Sequence, residues 1–201
     1  MAEPSNKTYN YRKRTPAAPT TDALGRLSPR DTDVEAAVLG ALMIEKDAYT
    51  VVCDILKPES FYEPSHQKVY EAIQALGASQ RPIDLFTVTE QLRLNGALDE
   101  VGGPAFIVQL TSNVTSAAHV EFHSRIVAQK YLARELISFA AQIENNAFDE
   151  SIDVDDLLQE AEGKLFEISQ RNVKKDVTQI DPVITAALDQ IQAAANRTSG
   201  L

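Results

Sequence analysis

Residues 116–147 read SAAHVEFHSRIVAQKYLARELISFAAQIENNA, a run that contains neither glycine nor proline. Because those two residues are the strongest local breakers of a helix, the run predicts a single helix of roughly 45 Å. Its apolar side chains recur at helical spacing, and so do those of a second segment that follows the polar turn at 149–153. We therefore predict an antiparallel helical hairpin over residues 116–171.

The predicted hairpin has more apolar surface than its two helices can cover by packing on each other. Such a hairpin with few neighbours leaves part of that surface in water unless a second copy covers it. We therefore predict that the hairpin is a dimerisation element. Its candidate interface side chains are Phe122, Ile126, Leu136, Ile137, Leu157, Leu165 and Ile168.

Residues 28–115 predict a compact head of about five short helices, because apolar residues recur there at helical spacing. No segment shows the sustained alternation of apolar and polar residues that is typical of a strand. The first helix opens with Thr32 and Glu35 at the spacing of a capping box. The predicted fold class is all-α: a multi-helix head, a long helical hairpin and a separate linker helix.

Helix ends inside the head are marked by capping residues. Gly77 closes a helix that begins near residue 65, and glycine is the residue best suited to a left-handed C-terminal cap. Asp84 is predicted to cap the next helix, which ends at Asn95-Gly96. In the helix that Gly77 closes, the side chains on the inward face are Val69, Tyr70, Ile73 and Leu76.

The two ends of the sequence lack the pattern of a packed core. Residues 1–27 contain three prolines and no apolar period, which predicts a disordered basic arm. Residues 172–201 predict a linker that carries an amphipathic helix at 182–196, with Asp181 as N-cap and Pro182 at its first position. A helix this short is marginal alone, so we expect it to dock on another surface; the alternative is that it folds back onto its own head. Its docking side chains are Ile184, Leu188 and Ile191.

The formal net charge of -10 is distributed unevenly. Residues 1–26 carry five basic and two acidic side chains, a net charge of +3, whereas the remaining 175 residues carry 14 basic and 27 acidic ones, a net charge of -13. An acidic body repels a phosphate backbone, so we do not expect it to bind DNA.

The single cysteine and the hydropathy pattern bear on the compartment. Cys53 lies in an apolar run and is predicted to be a small core residue of a reduced protein. No stretch approaches the roughly 18 consecutive apolar residues that a membrane span needs. We therefore expect a cytoplasmic protein without a membrane partner.

No motif predicts catalysis, a cofactor or a metal. Gly163-Lys164 lies mid-helix and is followed by leucine, whereas a phosphate-binding loop needs further glycines and then Ser or Thr. His119 and His123 share one helix face but lack further metal ligands. His66 is interpreted as a capping or packing histidine rather than a general base. We expect no catalytic, cofactor-binding or metal-binding residues in this chain.

Several stretches carry a resemblance through their shared order and spacing over about 170 residues, although each alone is mostly helix patterning. They are 33–41 (DVEAAVLGA), 58–62 (PESFY), 66–70 (HQKVY), 82–84 (PID), 87–89 (TVT), Gly102-Gly103, 125–127 (RIV), Ala161-Glu162 and 166–171 (FEISQR). With these stretches, residues 29–201 resemble the N-terminal region of DnaB-type replicative DNA helicases.

This resemblance implies the collar of a homohexameric ring, in which hairpins dimerise and three dimers close the circle. It also implies that the collar receives primase, that a helicase loader is a further candidate partner, and that the terminal helix packs on the ATPase domain of the adjacent subunit. In such helicases ATP, magnesium and DNA are bound by that ATPase domain, which we expect after Leu201. The present chain is then a non-catalytic assembly module.

Two other classes of protein stay open. A free-standing all-α adaptor without a motor domain would contain the same helices, and only the reading frame after Leu201 distinguishes it. An unrelated small-molecule enzyme or sensor would need a convergent polar pocket, for which the sequence gives no sign.

Overall fold

The computed structural model describes residues 25–112, 114 and 117–173, and every regular element in these ranges is a helix. This confirms the prediction of an all-α fold. The helices are α1 (Thr32–Ile44), α2 (Ala48–Val52), α3 (Pro64–Ala78), α4 (Leu85–Leu94), α5 (Leu98–Val101), α6 (Gly103–Ser112), α7 (Val120–Ala147) and α8 (Val154–Val173), and a 3₁₀ turn covers Pro58–Ser60. The predicted arm, and the predicted docking helix with Ile184, Leu188 and Ile191, lie outside the described residues.

The chain divides between Ile137 and Ser138 into two compact units. We refer to the described residues on either side as the N-terminal unit, 25–137, and the C-terminal unit, 138–173. The division falls inside α7, whereas the sequence suggested a boundary near residue 116. Helix α8 continues to Val173, two residues past the predicted end of the hairpin.

The core of the N-terminal unit is built around α3. Its predicted inward face is confirmed, since Val69, Tyr70, Ile73 and Leu76 are all fully buried. The ring of Phe61 packs against that of Tyr70, with centroids 5.0 Å apart. The Tyr70 hydroxyl donates a hydrogen bond to the Leu56 carbonyl at 3.1 Å, so its polar atom is satisfied in the core.

The start of α1 differs from the prediction. Asp31, not Thr32, is the N-cap, and its carboxylate accepts a hydrogen bond from the Val34 amide at 3.2 Å. Glu35 does not reach back to the cap as a capping box requires, because its side chain is buried and bonded to the Tyr62 amide. At α4 the prediction is confirmed: Asp84 Oδ1 accepts the amides of Phe86 and Thr87 at 2.9 Å.

Two glycines allow helices to approach closely. A Cβ on Gly40 would lie 2.2 Å from the Leu110 carbonyl oxygen, and one on Gly77 would lie 2.1 Å from the Tyr49 ring. The predicted role of Gly77 as a left-handed cap was therefore wrong, because α3 continues through it and needs it for packing. The left-handed conformation falls on Gln80, with φ of 52°.

Cys53 is exposed, which corrects its prediction as a core residue. It follows the last residue of the short α2, and its thiol donates to the Thr50 carbonyl at 3.4 Å instead of packing inward. Within the described ranges, no helix is both long enough and apolar enough to cross a lipid bilayer.

Candidate interaction surface

Helix α8 carries an apolar stripe that is only partly covered. Leu157 and Ile168 are buried, with 9% and 4% of their surface exposed. Val154, Leu158 and Leu165 are 69%, 57% and 52% exposed, yet at about 100° per residue they lie on the strip of α8 directly beside the buried pair. One side of a stripe about 100° wide is therefore in water.

The seven predicted interface residues fall into two groups. Leu157 and Ile168 are already buried within a single copy, so they are not free to meet a partner. Ile126 is partly buried, and Phe122, Leu136, Ile137 and Leu165 are exposed. Sequence reasoning missed four exposed apolar side chains, which are Phe148, Val154, Leu158 and Phe166.

The C-terminal unit is strongly acidic. Residues 138–173 contain nine carboxylates against Lys164 and Arg171, a net charge of -7, and all nine carboxylate residues are exposed. In the turn between the helices, Asp149 Oδ1 accepts hydrogen bonds from the Ser151 hydroxyl at 2.6 Å and the Ser151 amide at 2.9 Å. These hydrogen bonds lower the pKa of Asp149. Any partner of this unit must tolerate or offset that charge.

Arg134 of α7 binds the chain segment before α1 and the last residue of the 3₁₀ turn. Its guanidinium donates from Nη1 to the Pro29 carbonyl at 2.9 Å and from Nη2 to the Ser60 carbonyl at 2.8 Å. Burial lowers the pKa of Arg134, and the nearby Glu35 carboxylate opposes that shift. A planar, two-pronged donor is needed here because the two carbonyls belong to segments far apart in sequence.

Two tyrosines complete the surroundings of Arg134. The Tyr62 ring lies near two guanidinium groups, with its centroid 5.0 Å from Cζ of Arg30 and 5.7 Å from Cζ of Arg134. The Tyr131 ring lies 5.6 Å from Arg134 and 4.8 Å from the Lys57 ammonium. These cation–π contacts fix α7 within the N-terminal unit.

Glu35 and His66 form a buried polar pair. His66 Nδ1 lies 2.8 Å from Glu35 Oε2, and Glu35 Oε1 accepts the Tyr62 amide at 2.7 Å. The His66 ring stacks on Phe106 with centroids 5.9 Å apart. The interpretation of His66 as a packing residue is confirmed, since it is buried within α3. The pair ties α1 to α3, and both groups already have partners.

The residues that could suggest a nucleotide or metal site do not fit one. Gly163 and Lys164 lie within α8, where the backbone amides are bonded within the helix and cannot cradle a phosphate. The Lys164 ammonium lies 3.5 Å from the Glu167 carboxylate. In the part of the chain that the structure describes, no group of three or more His, Cys, Asp or Glu could hold a metal ion.

Comparison with known proteins identifies relatives. The family model described as the DnaB-like helicase N terminal domain matches residues 27–129. The replicative DNA helicase DnaB of Rhodothermus marinus is 37% identical over 177 residues, which cover 88% of this chain and 19% of that protein. The replicative DNA helicase DnaC of Bacillus subtilis (strain 168) is 37% identical over 178 residues, 88% of this chain and 39% of that protein. The chain thus spans less than half the length of these relatives.

Solved structures of related helicases have a similar fold. The crystal structure of the N-terminal domain of DnaB helicase from Mycobacterium tuberculosis matches with a TM-score of 0.66 and 33% identity, covering 69% of this chain and 98% of that chain. A structure of a DnaB-like replicative helicase and its interactions with primase matches with a TM-score of 0.58 and 23% identity, covering 79% of this chain and 35% of that chain, which supports the fold alone. Since the family model matches just over half of the sequence, the chain belongs to the DnaB-like helicase N-terminal domain family.

Proposed function

We propose that this chain is the non-catalytic N-terminal assembly module of an ATP-dependent replicative DNA helicase, and that its hairpin pairs with the hairpin of a second copy. Three such pairs would close a hexameric collar. The observation that carries the proposal is the apolar stripe of α8, which is covered beside Leu157 and Ile168 and open at Val154, Leu158 and Leu165. A second copy is the simplest cover, because a symmetric pair buries the same stripe twice.

The stripe is large enough to matter for association. Full burial of a large aliphatic or aromatic side chain contributes roughly 1.5–3 kcal/mol, while association costs on the order of 4–15 kcal/mol in lost freedom. A pair would bury Val154, Leu158 and Leu165 from each copy, six side chains in total. This supports a stable dimer if most of those side chains become buried.

The remaining assignments belong to the whole helicase. The collar would receive primase, with a helicase loader as a further partner, in the cytoplasm. ATP and magnesium would be held by an ATPase domain outside this chain, since Gly163 and Lys164 lie in a regular helix. DNA would be bound by that domain too, because the C-terminal unit is acidic. Ile184, Leu188 and Ile191 would dock on the ATPase domain of the adjacent subunit.

The pairing is tested by light scattering with and without primase. The chain should have the mass of a dimer or hexamer at about 100 µM, and the double variant Leu158→Asp/Leu165→Asp should be a monomer, because an uncompensated carboxylate is costly to bury. Leu94→Asp on α4 is the control, since Leu94 is also exposed, at 68%, but lies in the N-terminal unit. A wild-type chain that stays monomeric at this concentration would overturn the proposal.

The docking helix is tested in the complete helicase. Replacing Ile184, Leu188 and Ile191 by alanine removes the apolar anchors. The dissociation constant of the hexamer should therefore rise, so that hexamers fall apart on less dilution, and ATPase activity should fall. Unchanged hexamer stability and activity would contradict the docking role.

A further inference from the structure

The basic arm has no role in the proposed assembly, yet it carries the opposite charge to the surface that is proposed to pair. Its first 14 residues contain Lys7, Arg12, Lys13 and Arg14 against Glu3, together with Tyr9 and Tyr11. The C-terminal unit carries a net charge of -7 over residues 138–173. Two such units brought together repel each other, and the repulsion must be offset for the apolar stripes to meet.

The C-terminal unit offers what a cationic, aromatic segment recognises. Its carboxylates are all exposed, and among them stand two exposed phenylalanines, Phe148 and Phe166. An arginine guanidinium can lie over such a ring while it faces a carboxylate. This surface therefore favours a segment that carries Arg12 and Arg14 over a neutral segment. The same charge disfavours nucleic acid as the occupant.

The arm is long enough to reach a neighbouring molecule. It joins the described chain close to α7, because Arg134 holds the Pro29 carbonyl. The 24 residues before Gly25 can span at most about 86 Å when extended. That exceeds the length of α8, about 30 Å for its 20 residues.

We propose that the arm of one copy, residues 1–24, binds the acidic C-terminal unit of a second copy, with its basic side chains on the exposed carboxylates and around Phe148 and Phe166. The positive charge of the arm then offsets the repulsion between the acidic C-terminal units of the pair. This inference rests on the proposed pairing, since it is the paired copy that supplies the arm.

The test is carboxyl-to-amine cross-linking of the full chain, using a mixture of copies with natural nitrogen and copies labelled with ¹⁵N. Lys7 and Lys13 should become joined to carboxylates of 144–167, and the cross-linked peptides should include pairs with one labelled and one unlabelled partner. Raising NaCl from about 0.05 M to about 0.5 M should lower the yield at least about threefold, because the Debye length shrinks well below 10 Å. The pair Lys164–Glu167 within α8 is the internal control for reactivity.

A matched pair of charge variants separates specific docking from general attraction. Glu144→Gln/Glu150→Gln/Glu162→Gln on the C-terminal unit should lower the yield at the remaining carboxylates at least about threefold. Glu45→Gln/Glu71→Gln/Asp99→Asn removes the same charge from exposed positions of the N-terminal unit and should leave the yield unchanged.

Three outcomes would overturn the arm proposal: no arm cross-links while the control pair reacts, cross-links within one copy only, or an equal response to both triple variants. Light scattering on the same samples distinguishes the two proposals. Oligomers without arm cross-links would refute the arm docking and leave the pairing intact, whereas monomers would refute both.

Discussion

Helix α3 and helix α8 have comparable lengths, 15 and 20 residues, but their apolar side chains are buried to different extents. The four inward residues of α3 are fully buried by the surrounding helices of the same unit. Among residues 154–170 of α8, Leu157 and Ile168 are the only buried large apolar residues, whereas Val154, Leu158, Leu165 and Phe166 are exposed. The N-terminal unit therefore buries the apolar face of α3 within itself, whereas the described part of α8 leaves an apolar stripe in water.

The largest difference in stability should appear when one leucine of each unit is truncated to alanine. Leu39 is fully buried, so Leu39→Ala should lower the free energy of unfolding by about 3 kcal/mol through lost burial and the cavity it leaves. Leu158→Ala should cost less than about 0.5 kcal/mol in a dilute sample, because more than half of that side chain is in water.

Denaturant unfolding at several protein concentrations measures both changes. If the loss in free energy of unfolding caused by Leu158→Ala grows with protein concentration, a second copy covers this side chain. The contrast between the two units is then sharpened. Equal costs for the two substitutions in dilute samples would break the contrast.

A second pair of substitutions should act in opposite directions. Gly40→Ala places a Cβ against the Leu110 carbonyl and should destabilise the chain by about 2–3 kcal/mol, since neighbouring helix backbone must move. Gly163→Ala meets no atom within 4 Å and should stabilise the chain by about 0.5–1 kcal/mol through helix propensity alone. Thermal unfolding by circular dichroism reads both. A destabilising Gly163→Ala would mean that α8 is packed as closely as α1.

The contacts of Arg134 test how firmly α7 is fixed within the N-terminal unit. Arg134→Lys keeps the charge but can satisfy only one of the two carbonyls at a time, so it should cost about 1–2 kcal/mol. Arg125→Lys on the same helix is the control, because its ion pair with Glu121 is exposed and should cost less than about 0.5 kcal/mol. Hydrogen exchange of the amides of 57–63 should increase in the first variant only.

The smallest effect concerns the turn of the C-terminal unit. The pKa of Asp149 is lowered by hydrogen bonds from Ser151, so the folded turn is favoured above the ordinary carboxyl pKa and loses this contribution as the pH falls through the lowered value. Ser151→Ala removes the hydroxyl donor and should raise the pKa of Asp149 toward its ordinary value, as NMR titration of the carboxyl carbon would report. An unchanged pKa would show that the amide alone holds the carboxylate.

Local patterns predicted what depends on neighbours in sequence. The spacing of residues 69 to 76 gave the buried face of α3, and Asp84 was recognised as a cap, because both depend on residues within one or two turns. Glu35 and Gly77 were misread for the opposite reason. Glu35 bonds to an amide 27 residues away, and Gly77 makes room for Tyr49, so neither role leaves a trace in the local spacing.

The use of the hairpin as an interface stays a prediction, but the exposure of its apolar side chains can be compared with the sequence pattern. The hairpin pattern indicated uncovered apolar surface, yet the residues chosen included Leu157 and Ile168, which are buried within one copy. The parallel row of Val154, Leu158 and Leu165 has the same helical spacing, so periodicity alone could not tell which row faces inward. Arg134 could not be found at all, because its two acceptors are backbone carbonyls that any sequence would supply.

The exposed Cys53 is a natural site for attaching a fluorescent dye. It is the only cysteine of the chain, so a maleimide dye attaches once per copy without any substitution. Burial of nearby surface and the Asp54 carboxylate raise the pKa of its thiol, so coupling should proceed faster near pH 8.5 than at pH 7, as the thiolate fraction grows. Counting photobleaching steps of single labelled particles would then give the number of subunits directly.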